Sequence, residues 1–266
     1  DEKPQLYLLR LDGGEAERLT ELPNGAGSPK WTPDGKRVVF VTSVWGDDLA
    51  STRAEVARRK KEEKTRVQAT VSERRLVRYW DRWLETDEWP RLFSLDLATR
   101  EATDLTPGMK RLGTLEGGLD FDVARDGSVV FAANATEPPY RTTNTDLFLV
   151  PAGGGAPRNL TADNPAEDGS PVFSPDGKTI AYGRDAKADG WPDRTRLALL
   201  DVATGKTRML TEEWDWVPEE WRFTPDGKTL VFLSEARART NVYALPVAGG
   251  TPLLVWKGGR ATSVEV

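Results

Sequence analysis

Forty-two Asp and Glu residues, with not one His or Cys, limit the chemistry open to this 266-residue chain. A Ser or Cys hydrolase passes its proton to an imidazole, so an ordinary nucleophile–base triad cannot be assembled here. Disulfides and Cys-ligated zinc are excluded by the same count, which leaves the redox compartment, cytoplasmic or periplasmic, undecided. Carboxylate, guanidinium and aromatic chemistry remain, concentrated in two stretches. Arg78-Tyr79-Trp80-Asp81-Arg82-Trp83 sets charges among three aromatic rings. Glu212-Glu213-Trp214-Asp215-Trp216-Val217-Pro218-Glu219-Glu220 mixes acids with indoles, a composition that suits a free amine through ion pairing and cation–π contact. Arg141, after Pro138-Pro139-Tyr140, is a candidate partner for a carboxylate. The candidate contacts are therefore Arg78, Tyr79, Trp80, Asp81, Trp83, Arg141, Glu219 and Glu220. No metal site and no cofactor is expected.

The elements that must position these residues are announced by a repeat. Trp31-Thr32-Pro33-Asp34-Gly35-Lys36, Phe173-Ser174-Pro175-Asp176-Gly177-Lys178 and Phe223-Thr224-Pro225-Asp226-Gly227-Lys228 are three spellings of one phrase, and Val123-Ala124-Arg125-Asp126-Gly127 is a worn fourth. The Asp positions 34, 126, 176 and 226 are separated by 92, 50 and 50 residues. A short apolar run follows each copy, and a second turn, such as Ala203-Thr204-Gly205-Lys206, follows later in the period. Asp-Gly and Thr-Gly between apolar runs are hairpin signals, because Gly accepts the positive φ these turns need. Four antiparallel strands per period make one blade of a β-propeller.

The chain is accordingly expected to be all-β, with about four whole blades plus parts of two more and one helical insertion. The expected segments are a blade part at 5–20, blades at 28–106, 119–161, 170–211 and 220–256, and a blade start at 262–266. An open ring exposes unpaired sheet edges, so the expectation is a fragment of a longer chain or a ring completed by a partner. The alternative is a closed five-bladed ring in which the terminal pieces pair.

The 92-residue interval places an insertion at 44–89, between the second and third strands of the first blade. Thr52-Arg53-Ala54-Glu55 fits a capping box, predicting a charged helix over 54–67. Its basic run Arg58-Arg59-Lys60-Lys61 is balanced by Glu62 and Glu63, as on a solvated face. A net charge of −5 argues against nucleic acid as a partner, and no apolar run is long enough to span a membrane as a helix. In a four-stranded blade the loop between strands two and three shares a face with the blade-to-blade connections, so the irregular segments collect on one face, where function usually sits. The bland readings are an aromatic anchor at Trp80 and Trp83 holding the insertion down, Trp residues at 214 and 216 covering a blade junction, and a surface Arg141.

Trp80-Asp81-x-Trp83, reached through a charged helix and followed by Arg91-Leu92-Phe93, together with the Ser-Pro-Asp-Gly-Lys blades, resembles the propeller of the prolyl oligopeptidase family. Within it the chain is most similar to the acylaminoacyl-peptidase and dipeptidyl-peptidase 5 branch, along essentially its whole length. The resemblance implies a ring of about seven blades stacked on an α/β-hydrolase domain whose Ser lies in a Gly-x-Ser-x-Gly elbow. No such elbow occurs here, so no catalytic residue carries over. The resemblance implies gating and selection of short peptides, with the hydrolase domain of the same parent chain as partner. A TolB-like propeller, a non-catalytic protein-binding module, has similar blades but gives no reason for the insertion. A propeller glycosidase would need paired carboxylates, whereas Asp34, Asp126, Asp176 and Asp226 recur once per blade, as turn residues do.

Overall fold

The computed structural model describes residues 3–62, 78–79, 82–83, 88–110, 112–113, 118–135, 142–188 and 193–266, with backbone alone at 78–79 and 82–83. Four antiparallel four-stranded sheets follow one another along the chain. A short pair, β1 (Tyr7–Leu8) and β2 (Glu17–Arg18), precedes them. The first sheet is β3 (Gly27–Trp31), β4 (Arg37–Trp45), β7 (Glu88–Asp96) and β8 (Ala102–Asp104). Between β4 and β7 lie α1 (Leu49–Glu62) and the hairpin β5 (Arg78–Tyr79) and β6 (Arg82–Trp83). The second sheet is β9 (Phe121–Val123), β10 (Val129–Ala133), β11 (Asp146–Val150) and β12 (Arg158–Asn159). The third is β13 (Asp168–Phe173), β14 (Thr179–Arg184), β15 (Arg196–Asp201) and β16 (Thr207–Met209). The fourth is β17 (Pro218–Phe223), β18 (Thr229–Glu235), β19 (Thr240–Pro246) and β20 (Leu253–Trp256).

The sheets stack face to face in chain order. Strand alternation sends successive side chains to opposite neighbours. In β10, Val129, Phe131 and Ala133 pack toward the first sheet, with Val39, Leu92 and Leu105. Val130 and Ala132 pack the other way, with Ile180, Tyr182, Ala198 and Leu200 of the third sheet. Ala181, Leu197 and Leu199 then meet Trp221, Phe223, Leu230 and Phe232 of the fourth. The central strands are thus buried on both sides, which is why they read as unbroken apolar runs.

The recurring phrase has a mechanical explanation. Asp34 Oδ1 accepts a hydrogen bond from Thr32 Oγ1 at 2.6 Å and another from the Lys36 N–H at 3.0 Å, while the Gly35 N–H donates to Thr32 O. Ser174–Asp176 and Thr224–Asp226 repeat the arrangement at 2.7 and 2.6 Å. The hydroxyl contact, reinforced by the backbone N–H, holds the carboxyls of Asp34, Asp176 and Asp226 below their ordinary pKa. In the worn copy Ala124 has no hydroxyl to give, and Asp126 keeps only the Ser128 N–H at 2.9 Å.

A second periodic device escaped the reading of the sequence. Leu-Thr occurs at 19–20, 105–106, 160–161 and 210–211. The Thr hydroxyl oxygen accepts from the N–H of Leu6, Leu92, Leu147 and Leu197 respectively, at 2.8–3.2 Å. Each Leu N–H bonds back to the carbonyl of the same partner at 2.8 Å. All four Thr are buried, so a polar group that would be expensive to leave alone is satisfied each time. The clasp at Leu6 and Thr20 gives β1 and β2 the same relation that strands three and four have in the full sheets.

Two expectations are corrected. α1 begins at Leu49 rather than near Ala54, and its cap is Asp48, whose Oδ1 accepts from the Ser51 N–H at 2.7 Å. Thr52 is inside the helix and fully buried, its hydroxyl accepting from the Trp45 N–H at 2.9 Å and donating to Asp48 O at 2.8 Å, so it caps nothing. The closed five-bladed alternative also fails: β1 and β2 pair with each other, and among the described residues 262–266 join no strand.

The first strands carry a strained bulge. Register shifts between Gly27 and Lys30, between Gly169 and Val172, and between Glu219 and Arg222. Ser28, Ser170 and Glu220 sit there at φ 51°, 50° and 51°, a region non-glycine residues usually avoid. Ser28 is exposed, so its backbone can be tested alone. Ser28→Val is expected to lower stability by about 1–2 kcal/mol, because a β-branched side chain fits worst at positive φ, while Ser28→Gly should stay within about 0.5 kcal/mol of the parent. Urea denaturation of the two variants measures the difference, and equal stabilities would refute backbone strain at this site.

Candidate functional site

Three loops build a recess on the face that also bears α1. They are the segment before β11, the connection at 162–167 and the loop between β14 and β15. The recess has a volume of about 280 Å³ and is lined by Thr143, Glu167, Ser170, Asp185, Lys187, Asp193, Thr195 and Trp221, with the backbone of Gly169 and Gly183. Three acids against one Lys give it a negative field. Gly183 is required here: a Cβ would meet Thr195 Cγ2 at 2.7 Å and the Trp221 ring at 3.1 Å.

The acids have different tasks. Asp193 Oδ2 accepts from the N–H groups of Ala186 and Lys187 at 2.7 and 3.0 Å, and Oδ1 from that of Arg194 at 2.8 Å. Burial opposes its charge, but those N–H groups and the nearby Arg196 outweigh it and hold the carboxyl down at about 2. Asp193 therefore closes the loop. Asp185 is pushed above its ordinary pKa by burial, against a hydrogen bond from Thr195. Burial therefore works against its charge, which a cationic ligand group would favour again. Among the described residues no three acids converge closely enough to hold a metal ion.

Behind the recess stands Asp168, with no exposed surface. Oδ1 accepts from Asn164 Nδ2 at 2.9 Å, and the same amide reaches Asp185 O at 3.2 Å. The Asp168 backbone exchanges hydrogen bonds with Thr145, N–H to O at 2.8 Å and Oγ1 to O at 2.9 Å. Oδ2 has no partner. Through its backbone and its carboxylate, and with the Asn164 amide as a bridge, Asp168 thus ties together the three loops of the recess.

A second cavity, of about 260 Å³, opens where the first strands of the sheets converge. Lys30 Nζ donates to Phe121 O at 2.6 Å and Asp122 Oδ1 at 3.0 Å, and Asp122 Oδ2 accepts from the Phe173 N–H at 2.8 Å. Ser170 Oγ donates to Asp120 Oδ2 at 3.0 Å. Polar relays thus join three neighbouring first strands across the middle of the molecule.

The residues singled out by sequence scatter between these regions. Arg78 stands opposite Trp83 and Tyr79 opposite Arg82 in the hairpin within the insertion. Trp80, Asp81 and Arg141 lie outside the described residues. Glu219 and Glu220 are exposed on β17; Glu220 faces the central cavity and pairs with Arg222 at 3.6 Å. Trp214 packs edge-on against Phe232 and Tyr243 at 5.4 and 5.1 Å, covering the fourth sheet, while Trp216 is 38% exposed. Glu167, Asp185 and Asp193 went unread because each is an ordinary loop acid until the fold gathers them.

Comparison with known proteins gives this architecture relatives. No family model matches the sequence. Dipeptidyl-peptidase 5 of Porphyromonas gingivalis is 26% identical over 92% of this chain and 42% of its own length. Dipeptidyl-peptidase 5 of Aspergillus fumigatus is 30% identical over 64% of this chain and 27% of its own. The chain is a relative of dipeptidyl-peptidase 5. It spans less than half the length of the curated relatives it matches. Among solved structures, an acylaminoacyl peptidase in complex with Z-Gly-Gly-Phe-chloromethyl ketone superposes with a TM-score of 0.61 at 15% identity, over 96% of this chain and 35% of that one. The β-propeller domain of the Trilobed protease from Pyrococcus furiosus gives 0.58 at 15%, over 96% and 62%. TolB from Acinetobacter baumannii gives 0.55 at 20%, over 92% and 46%. The structural likenesses establish a β-propeller, and the sequence is similar to that of dipeptidyl-peptidase 5 over most of the chain. No described helix is long and apolar enough to cross a membrane.

Proposed function

We propose that this chain is the substrate-gating and substrate-selecting propeller of a serine peptidase acting on short peptides. Its successive sheets would belong to a ring of about seven blades, and an α/β-hydrolase domain outside these residues would supply the catalytic Ser, Asp and His. The observation that carries the reading is the relationship to dipeptidyl-peptidase 5 along 92% of the chain. The gathering of α1, the acidic recess and the blade connections on one face supports it, since a hydrolase docked there would meet every irregular segment at once. Arg78, Tyr79, Trp80, Asp81, Trp83, Arg141, Glu219 and Glu220 are the proposed contacts to substrate or to that domain. The rival, a TolB-like binding module, rests on a similar fold but leaves the insertion without a use.

Two measurements on the parent protein test the proposal. A fluorophosphonate probe should label one Ser outside these residues, and this chain purified alone should take no label and cleave no dipeptidyl substrate. Removing residues 76–85 from the parent should raise kcat/KM for a twenty-residue peptide at least tenfold relative to a short one. Unchanged size selectivity would remove gating, and a parent that takes no probe would favour the binding module.

A further inference from the structure

On a chain of net charge −5, one groove is strongly positive. It runs between the β1–β2 pair and α1, has a volume of about 820 Å³, and is lined by Lys3, Arg18, Arg53 and Lys60, with Glu21 the one acid among the described residues that line it. The cations come from three separate pieces of chain: the segment before β1, β2 itself, and the helix. Arg53 and Lys60 are seven residues apart, which places them on one face of α1 about 10 Å apart along its axis.

The other Arg residues of α1 show what ordinary neutralisation looks like here. Arg58 is held by Glu55 and Glu62 at 2.7 and 2.6 Å, and Arg59 by Glu55 at 2.8 Å, with its guanidinium 3.7 Å from the Trp45 ring centroid. Glu55 is driven to about 2 by those two hydrogen-bonded guanidinium groups. Arg53, Lys60 and Lys3 have no acidic partner among the described residues, and Arg18 reaches Glu21 only at 3.9 Å. The helix thus neutralises its Arg pair away from the groove and leaves the groove side charged. Holding four like charges around one recess is unfavourable unless something anionic enters.

We propose that this groove is a docking site for an acidic peptide segment. Arg53 and Lys60 are spaced for about three residues of extended chain, and guanidinium groups bind carboxylates with two parallel hydrogen bonds. Tyr7, 57% exposed at the groove, offers a ring against which the peptide's aliphatic stems can lie. A short peptide can place its charge within the groove alone, whereas a duplex or a membrane would also lay anionic surface against the rest of a chain that is negative overall. Docking here needs no peptidase activity, so it stands or falls apart from the proposed function.

The test is fluorescence anisotropy of a fluorescein-labelled hexaglutamate peptide with the full chain, its hexaglutamine counterpart as control. The expected result is saturable binding of the glutamate peptide alone, weakened at least tenfold between 50 and 500 mM NaCl. Arg53→Glu with Lys60→Glu should weaken it at least tenfold with unchanged circular dichroism and melting temperature, because both side chains are exposed. Arg208→Glu, in another sheet, should leave binding intact. Absent binding at low salt, equal loss in the Arg208 variant, or tighter binding to phosphatidylserine vesicles or duplex DNA than to the peptide would each overturn the proposal.

Discussion

Replacing Asp104 by Ala is expected to lower the unfolding free energy by about 3–5 kcal/mol, because it strands a buried guanidinium. Arg91 has no exposed surface; its Nη1 donates to Asp104 Oδ2 at 2.9 Å and its Nη2 reaches Gly46 O at 3.4 Å. Asp104 in turn accepts the Thr106 N–H at 2.8 Å, so the pair joins β7, β8 and the base of the insertion. The asymmetry is the informative part. Removing one partner leaves an uncompensated charge, whereas an apolar pair of similar volume removes both desolvation costs. Arg91→Met with Asp104→Leu should therefore recover most of what Asp104→Ala loses. Guanidinium denaturation of the three variants reads this directly. A loss below about 1 kcal/mol for Asp104→Ala would mean that solvent or a rearranged neighbour reaches Arg91.

The second large effect depends on pH. Burial pushes Asp168 up to about 7 from an ordinary value of 3.8; Asn164, Arg184 and Thr161 work against the rise and Asp146 adds to it. A folded state that binds the proton more tightly than the unfolded chain is favoured at low pH. Stability tied to Asp168 is therefore full below about 4, falls as pH rises toward 7, and by pH 8 has lost about 4 kcal/mol. Asp34, Asp176 and Asp226, held below their ordinary pKa, act in the opposite sense, but only as pH falls below about 4. Between pH 5 and 8 the Asp168 slope should dominate. Asp168→Asn cannot charge, so it should flatten that slope and be the more stable protein at pH 8. Parallel slopes for the two proteins would show that Asp168 is ionised without penalty. Because the Asp168 carboxylate accepts from Asn164, whose amide also reaches Asp185 O, the same titration should loosen the acidic recess first.

What the sequence made legible was whatever repeats locally. Asp-Gly turns and apolar runs located β13 through β16 within a residue or two, since each signal acts over five or six positions. Leu-Thr was equally local and equally repeated, yet two common residues carry no turn signature, and only the bonds from Thr106, Thr161 and Thr211 reveal their use. The cap of α1 was misplaced because Thr52-Arg53-Ala54-Glu55 has the right letters, while burial of Thr52 against Trp45 is a tertiary event. The sites were largely illegible for a related reason. Asp185 and Glu167 meet only after two loops converge, and Lys3 and Lys60 come to line one groove only once the chain is folded. Trp214 illustrates the opposite case: its aromatic neighbours in sequence looked functional, and in space it covers a sheet.

The four Leu-Thr clasps each close over 14 residues of chain, so three of the four sheets, and the β1–β2 pair, can be tied from contacts close in sequence. Local closure is fast. The first sheet is different in one pairing. The ends of β4 and β7 meet as Trp45 and Glu88, 88 − 45 = 43 residues apart, whereas Arg184 and Arg196 meet across 196 − 184 = 12 in the third. Loop-closure entropy rises with the logarithm of that length, adding at most about 1 kcal/mol to the barrier for this one hairpin. A chain emerging from the ribosome would thus hold β4 paired with β3 alone, its other edge waiting for β7 until the insertion had been made, while later blades could zip as they appear. The insertion sets a kinetic order among blades that are otherwise alike, and the blade it delays is the one that carries it.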